Sequence, residues 1–542
     1  MYFKEEYLTK EDKSIKFTDV NKILNDKNIL IVGDFWGIQK FIFEGLTTDR
    51  AAKVLRAKSA FVLIYMDILS QYLCKKFDLQ KENIISLSAG KFEILMPKDK
   101  FDNVILNDIQ KKIDEYFLTN FYGLSGVSLG FIEVDRDKFL NDYKSFREEV
   151  ANTIEEIKFN KFNLDKSKAI QKYNENIDNQ NLCPICNIRK KEKDECKICN
   201  SFIKLGKKLT KTDMQIVTNK DFEIFKDEYI KVKLYKNIKS YIPSIQISKD
   251  EREVLTLEEI AKNSCKNLDT GIKALGVLKA DVDGMGNFIK NTDVTKRFEN
   301  FDNFSKTMDG FFSGYVTDML RGKIEKYKDR FRNIYTIFAG GDDLFLVGAW
   351  NEILDFSREI RKDFDDFQNN QGLSISFGIV VSKESVPIKY LAEISEENLE
   401  KAKDFCIKKD GDFKDKKEKD KLCKEEKEVY KKDALSLWDE IVRNDEYIKV
   451  WDKLDKVFSI DTIKDKKFDT TYLYRLLEIC EMSKRVKYQK SIIDTMWKSK
   501  LNYISKEENE KEVLKVLDKC IKDYPKETKL FLVEYIYKRR EQ

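Results

Sequence analysis

One arrangement occurs twice in this chain, and it limits the fold more than any other feature. An apolar strand runs into an aspartate-bearing turn, a glycine-containing hairpin follows, and another strand closes the unit. In the first copy the strand is Lys27-Asn28-Ile29-Leu30-Ile31-Val32-Gly33-Asp34-Phe35-Trp36. A helix is expected over about 50–77, a hairpin over 84–96, a second helix over 101–119 and a closing strand over 124–134. In the second copy the strand is Ala274-Leu275-Gly276-Val277-Leu278-Lys279-Ala280-Asp281-Val282-Asp283, the hairpin lies in 336–347 and the closing strand in 373–381. The spacings agree. Asp34 to Ala89 is 55 residues and Asp281 to Ala339 is 58, while Ala89 to Gly130 is 41 and Ala339 to Gly378 is 39. A duplicated α/β module accounts for this spacing.

The copies differ where chemistry would sit. The second hairpin carries Gly340-Gly341-Asp342-Asp343, and the first carries Gly90-Lys91-Phe92-Glu93. Adjacent carboxylates repel unless a cation lies between them. Mg²⁺ is satisfied by carboxylates, backbone carbonyls and substrate phosphates. Asp342, Asp343 and the strand-end Asp281 are therefore candidate metal ligands, with Asp283 nearby and the Val282 carbonyl as an additional ligand. Two such metals about 3.5–4 Å apart would activate a hydroxyl and stabilise a leaving pyrophosphate. The competing reading of Gly-Gly-Asp-Asp is an ordinary type I′ hairpin turn. In the first copy, Asp34 lacks an Asp-Asp partner and is followed by Lys53, Arg56 and Lys58. That region reads equally as a phosphate-binding surface or as a solvated helix. Lys403, beyond the second module's last helix, is in range of a triphosphate.

Between the copies stand Cys183-Pro184-Ile185-Cys186 and Cys196-Lys197-Ile198-Cys199. Two CxxC pairs at this spacing can place four thiolates around Zn²⁺, and four protein ligands leave no position open for catalysis. The remaining cysteines, Cys74 and Cys265 among them, read as buried small hydrophobes. The 542 residues contain ten cysteines and no histidine. No Ser-His-Asp triad, HExxH site or His-Asp nuclease site can be built from them. Lys plus Arg total 101 against 96 Asp plus Glu, so the net charge of +5 gives no sign of a general nucleic-acid coat. No apolar stretch approaches the ~20 residues of a membrane span, no signal peptide is evident, and a reduced, cytoplasmic protein is the expectation.

A lysine- and asparagine-rich connector is expected to be helical over about 143–180. The almost wholly charged stretch from Lys408 to Lys432 reads as an exposed helix or flexible insertion. From about Ala434 the spacing is helical throughout, with Tyr472, Leu473, Leu476, Leu477 and Cys480 marking one face.

Taken in order, these residues resemble the large, polymerase-like subunit of type III CRISPR RNA-guided effector complexes. The first-palm signature is Gly33-Asp34 with Gly37-Ile38-Gln39-Lys40-Phe41-Ile42 and Ala52-Lys53-Val54-Leu55-Arg56-Ala57-Lys58-Ser59. The second is Leu278-Lys279-Ala280-Asp281-Val282-Asp283-Gly284-Met285-Gly286, Phe311-Phe312, Gly340-Gly341-Asp342-Asp343 and Ser376-Phe377-Gly378.

The resemblance implies an α+β chain with two ferredoxin-like palm domains of nucleotide-cyclase type, a zinc module and an all-helical C-terminal domain. It divides the chain into a non-catalytic first palm (1–145, with Lys91-Phe92 in place of the Asp pair), a connector with the four-cysteine zinc module (146–270), a catalytic second palm (271–432, insertion about 408–432) and a helical domain (433–542). It implies a nucleotidyltransferase that makes cyclic oligoadenylates from ATP when the complex engages target RNA, with guide RNA held through other subunits. Asp281, Asp342 and Asp343 would be catalytic and, with Val282, would hold Mg²⁺ or Mn²⁺. Val282, Gly340, Gly341, Asp34 and Lys403 would meet nucleotide, and Cys183, Cys186, Cys196 and Cys199 would hold structural Zn²⁺. Many relatives begin with a His-Asp nuclease domain; here the first-palm signature begins by residue 33 and histidine is absent, so intrinsic DNase activity by that route is not expected. The competing readings are a catalytically silent structural subunit of the same complex and a stand-alone nucleotide cyclase or diguanylate synthase.

Overall fold

A computed structural model describes residues 3–8, 20–43, 46, 51–88, 90–159, 162, 181–209, 214–217, 231–234, 255–265, 270–408, 421–423, 429–459, 469–504 and 511–540. The first module contributes strands β1 (Lys27–Trp36), β2 (Ile84–Ser88), β3 (Lys91–Pro97) and β4 (Gly126–Asp135). Their antiparallel sheet has the order β2-β3-β1-β4. β1 is apolar and buried nearly end to end because it lies between β3 and β4 and is covered on both faces. The helices Ala51–Lys76 and Asn103–Phe121 make the two crossovers. Asp102 caps the second, accepting from the Val104 amide at 2.7 Å, and Tyr122 ends it in the left-handed conformation.

After the small ribbon of β5 (Met214–Val217) and β6 (Lys231–Leu234), the second module repeats the scheme. Its strands are β7 (Leu275–Asp283), β8 (Ile334–Gly340), β9 (Asp343–Ala349) and β10 (Ser374–Ser382). The order β10-β7-β9-β8 repeats β4-β1-β3-β2, so both halves have the ferredoxin-like βαββαβ topology. The two sheets share one core. Helix Ala51–Lys76 packs with Tyr335, Ile337, Phe345 and Val347 of the second sheet as well as with Ile29, Ile31 and Phe35 of the first. At the chain start, Phe3 belongs to the second module's core, stacked on Phe367 at 4.7 Å, although the sequence division assigns it to the first palm.

A helix follows the fourth strand of each module: Tyr143–Phe159 after β4 and Ile388–Lys403 after β10. Both lie directly on glycine. A Cβ on Gly378 would stand 2.2 Å from the Ser395 carbonyl, and one on Gly130 would stand 2.8 Å from Ile157. These glycines seat the helices that carry Lys158 and Lys403.

The sheet of the second module continues past the expected palm boundary. After the ribbon of β11 (Cys406–Lys408) and β12 (Val429–Lys431) come β13 (Ala434–Leu437) and β14 (Glu440–Arg443). β13 pairs in parallel with β10, and β14 closes a hairpin against it. The helical reading from Ala434 therefore fails for 434–443. Two four-residue strands are too short to show a period, and their turn is formed by Trp438 and Asp439 at φ of 49° and 61°, without the usual glycine. The charged insertion is likewise partly a ribbon, and Cys406 and Cys423 form a disulfide rather than two buried thiols. Residues 160–161 and 163–180 of the expected connector helix, and 409–420 and 424–428 of the charged insertion, lie outside the described residues.

From Asn444 on, the described chain is helical. Asn444–Ser459, Thr470–Gln489, Trp497–Ile504, Lys511–Asp523 and Pro525–Arg539 enclose a separate core around Leu454, Leu476, Leu517 and Leu532. Among the described residues, no helix is long and apolar enough to cross a membrane.

Candidate active site

Asp281 and Asp343 face each other at one position of the β7–β9 ladder. The β8–β9 hairpin closes through Gly341 and Asp342, with Gly340 paired to Asp343. Gly341 has φ +64°, and Asp342 does not share that sign, so the turn has the II′ pattern rather than I′. Asp309 pins the turn from behind: its Oδ1 accepts from the Gly341 amide at 3.2 Å, and its Oδ2 accepts from Ser313 Oγ at 3.1 Å. The helix after Asp309 widens to π-helical pitch over Gly310–Tyr315, which includes Phe311-Phe312. Insertions of this kind recur at functional sites.

Burial, then the neighbouring Asp281, then Asp342, push the Asp343 carboxyl up to about 7. Asp342 is raised by burial and then by Asp281. Cations answer this crowding. Lys403, at the end of its helix, reaches Asp281 Oδ2 with Nζ at 2.6 Å. Burial opposes the Lys403 charge, but Asp281 outweighs it and lifts the lysine above its ordinary value. Lys279, two residues before Asp281, is pulled down to about 8 by burial despite Asp343 and Asp281, and it pairs with Glu396. Sequence reasoning passed over Lys279 and Asp309. For Lys279 the available signal was a lysine inside an otherwise apolar buried strand.

Asp283 does not join the cluster. Although it shares a strand face with Asp281, it leans across β10, where Ser374 and Ser376 donate to its Oδ2 at 2.8 Å each and the Asp433 amide at 3.0 Å. It anchors the start of β13. Val282 places its amide toward the Asp342 carbonyl at 3.3 Å, tying β7 to the hairpin.

A cleft of about 1010 Å³ lies between the modules, with Asp343, Lys279 and Phe345 on one wall and Asp34, Lys91 and Lys158 on the other. Register fixes the correspondence of the walls. Asp34 pairs with Lys91 and Ser128 as Asp281 pairs with Asp343 and Ser376. Gly90-Lys91, not Lys91-Phe92, therefore stand where the second module has Asp342-Asp343. Lys91 and Lys158 lie 4.0 and 3.9 Å from Asp34 Oδ1. Asp34 is raised by burial, with Lys158 and then Lys91 opposing. Arg56 turns away from the cleft: it is 1% exposed, with its guanidinium over the Tyr335 ring.

The four cysteines of the CxxC pairs converge, all buried, with sulfurs within 4.8 Å of one another. Among the described residues this is the only set of three or more Cys, Asp or Glu ligand atoms so close, so the three aspartates are less tightly gathered. Cys196 and Cys199 donate to Cys186 and favour its thiolate, while the Cys196 thiol is itself pushed up to about 12. The module rests on helix Ala51–Lys76, where Gly206 approaches the Lys53 carbonyl so closely that a Cβ would stand 2.3 Å from it.

Residues 274–413 match the second palm domain of Cas10/Cmr2, and residues 27–176 match domain B of the Csm1 subunit. The chain is 26% identical over 510 residues to the CRISPR system single-strand-specific deoxyribonuclease Cas10/Csm1 (subtype III-A) of Methanocaldococcus jannaschii, a match covering 78% of this chain and 62% of that protein. The protein of the same description from Thermococcus onnurineus is 26% identical over 430 residues, covering 69% and 54%. The chain thus spans less than two thirds of the length of these relatives. Among solved structures, a Csm1–Csm4 cassette in complex with cA4 superposes with a TM-score of 0.67 at 17% identity, covering 98% of this chain and 72% of that one. A cassette in complex with one ATP gives 0.64 at 18% identity, covering 94% and 70%.

Proposed function

Because this chain belongs to the Cas10/Csm1 family through both of its palm-like halves, we propose that it makes cyclic oligoadenylates from ATP as the signalling subunit of a type III CRISPR effector complex. One observation carries the reading: Asp281 and Asp343 meet at one ladder position, and Asp343 lines a cleft that both palms share. Similar folds have been solved with cA4, cA3, ATP and pppApApA, which are substrates, intermediates or products of such a synthase.

The donor set fits a divalent cation. Two carboxylates at one ladder position, one of them raised to about 7, are relieved by a cation between them. Mg²⁺ needs only one or two carboxylates beside substrate phosphates. Asp281, Asp342, Asp343 and the Val282 carbonyl would hold Mg²⁺ or Mn²⁺. The bound metal would supply a lowered hydroxyl pKa and charge neutralisation at the leaving pyrophosphate, in the two-metal manner. The chain's own residues do the rest. Asp309 fixes the Gly340-Gly341 turn so that backbone, not side chain, meets the nucleotide. Lys279 and Lys403 offer positive charge to the triphosphate. Asp34, Lys91 and Lys158 line the opposite wall, where the second nucleotide would lie with its 3′-hydroxyl toward the first nucleotide's α-phosphate. The new phosphodiester forms as pyrophosphate leaves.

The four-cysteine module would be a structural zinc site that holds residues 181–209 against the first palm. The helical C-terminal bundle would dock other subunits, a Csm4-like partner and guide and target RNA would be engaged through the assembled complex, and the site of action would be the cytoplasm. These 542 residues contain no histidine, so a His-Asp DNA-cutting centre cannot be assembled from them.

The test is product analysis by mass spectrometry. The chain, assembled with its co-encoded subunits and guide RNA, is given ATP, Mg²⁺ or Mn²⁺, and target RNA. Cyclic oligoadenylates that depend on target RNA and vanish in the Asp342→Ala, Asp343→Ala complex are expected. An intact, target-bound complex that yields none overturns the proposal.

A further inference from the structure

Each palm sets a lysine against an aspartate two residues before the end of its first strand, and the lysine comes from the same place in the topology. Lys158 belongs to the helix after β4 and lies 3.9 Å from Asp34; Lys403 ends the helix after β10 and lies 2.6 Å from Asp281. The first palm adds a second cation, Lys91, at the ladder position facing Asp34. Its carboxylate is thus answered by two ammonium groups. In the second palm that ladder position is Asp343, so Lys403 faces two carboxylates and holds one.

A carboxylate oxygen engaged by an ammonium at 2.6 Å is not available to a divalent cation in the same direction. The Lys403 side chain is 28% exposed and leaves from a helix end, so it can leave Asp281 for another partner beside it without moving the helix. The nearest demand for positive charge there is a nucleotide's polyphosphate.

We propose that Lys403 is a resident counter-ion of Asp281, and that it transfers to the nucleotide's polyphosphate when a divalent cation takes Asp281. The inference rests on the nucleotidyltransferase reading above. On this arrangement the protein alone binds metal weakly, because the cation must first displace an ion pair. Metal and nucleotide then enter together, since the released ammonium gains a phosphate partner at the moment it loses its carboxylate. Lys403 is a positioning residue with two partners, and the first palm, where Lys91 stands in the place of Asp343, has no metal-binding counterpart.

The experiment is Mn²⁺ titration of the full chain, following loss of the free-ion electron paramagnetic resonance signal, with and without the non-hydrolysable analogue AMPPNP. Losing one half-buried charge-assisted bond to the competing lysine should tighten binding of Mn²⁺ alone about tenfold in Lys403→Gln. The same variant should bind AMPPNP more weakly, and Lys403→Arg, which keeps the pair, should behave as wild type. Equal affinity of wild type and Lys403→Gln for Mn²⁺ alone overturns the inference. So does a wild-type affinity for Mn²⁺ that AMPPNP does not raise, an outcome that decides the question even if the glutamine variant fails to fold. Asp343→Asn separates the two readings: if it leaves Mn²⁺ binding intact, the metal-site reading itself falls. If it abolishes binding while Lys403→Gln changes nothing, only the counter-ion role falls.

Discussion

The helical bundle is joined to the second palm through a buried ion pair. Arg358, on the helix Trp350–Phe367, donates to Glu534 of the helix Pro525–Arg539 at 2.8 and 3.0 Å, and the residues are 3% and 1% exposed. Tyr447, Trp451 and Lys538 complete the surroundings of Glu534 at 3.4, 3.2 and 2.7 Å. Burial alone would push Glu534 up, but Arg358 and then Lys538 overcome it and hold the carboxyl down at about 2, against an ordinary 4.5. Removing one member of a buried pair such as this one costs roughly 3–5 kcal/mol, because the other charge is left without its partner. The carboxylate's folded value lies below its unfolded value, so this contribution is present above pH 4.5 and is lost as pH falls through about 2. Arg358→Met should therefore destabilise the chain by about 3 kcal/mol at pH 7 and remove that acid-side slope. Arg358→Met combined with Glu534→Leu should recover much of the loss, because apolar replacements leave no lone buried charge. Urea unfolding followed by tryptophan fluorescence, with Trp451 lying in the network, measures all of these variants between about pH 3 and 8. A cost below about 1 kcal/mol for Arg358→Met, or a double variant as unstable as the sum of the singles, refutes the argument.

Two further outcomes are expected. Cys196→Ser should lower bound zinc from about one equivalent per chain to near zero by elemental analysis, and should expose residues 181–209 to protease while the palms stay folded; full zinc retention would count against the four-thiolate site. Lys91→Asp should not create a second catalytic centre; it should lower stability by about 1–3 kcal/mol in thermal unfolding, because the buried Asp34 loses one of its two cations and gains a like charge, and an unchanged melting temperature would show that Lys91 does not serve Asp34.

Where long apolar runs or fixed spacings carried the signal, the sequence was readable. β1 and β7 are nearly continuous buried strands, and the paired CxxC spacing brings four sulfurs together. Gly130 and Gly378 were noticed as markers of the closing strands, and their reason is the helix that crosses each. Reading failed where the information is lateral. Asp281 and Asp283 are alike in strand period, yet one leans toward β9 and the other toward β10, a choice made by Ser374, Ser376 and the Asp433 amide. The sequence sets Lys91-Phe92 in the place of the Asp pair, one residue off, because the first hairpin has a single glycine, Gly90, before them where the second has two, whereas the ladder aligns Lys91 with Asp343. β13 and β14 are four residues each, below the length at which alternation separates from helical spacing.

The one-residue register correction changes what the duplication means. With Lys91 opposite Asp34 and Asp343 opposite Asp281, the two palms carry opposite charges at the same ladder position and face one cleft. Two acidic palms would repel each other across that cleft and would each demand metal. Two basic palms would hold phosphates and have nothing to hold the metal that activates a hydroxyl. One of each would set a carboxylate for a cation against ammonium groups for polyphosphate. On the proposed reaction, that asymmetry would give the two nucleotides different partners, the one beside Asp343 presenting its α-phosphate and the one beside Lys91 its hydroxyl. A single exchange of carboxylate for ammonium in a duplicated fold would then be enough to set a direction.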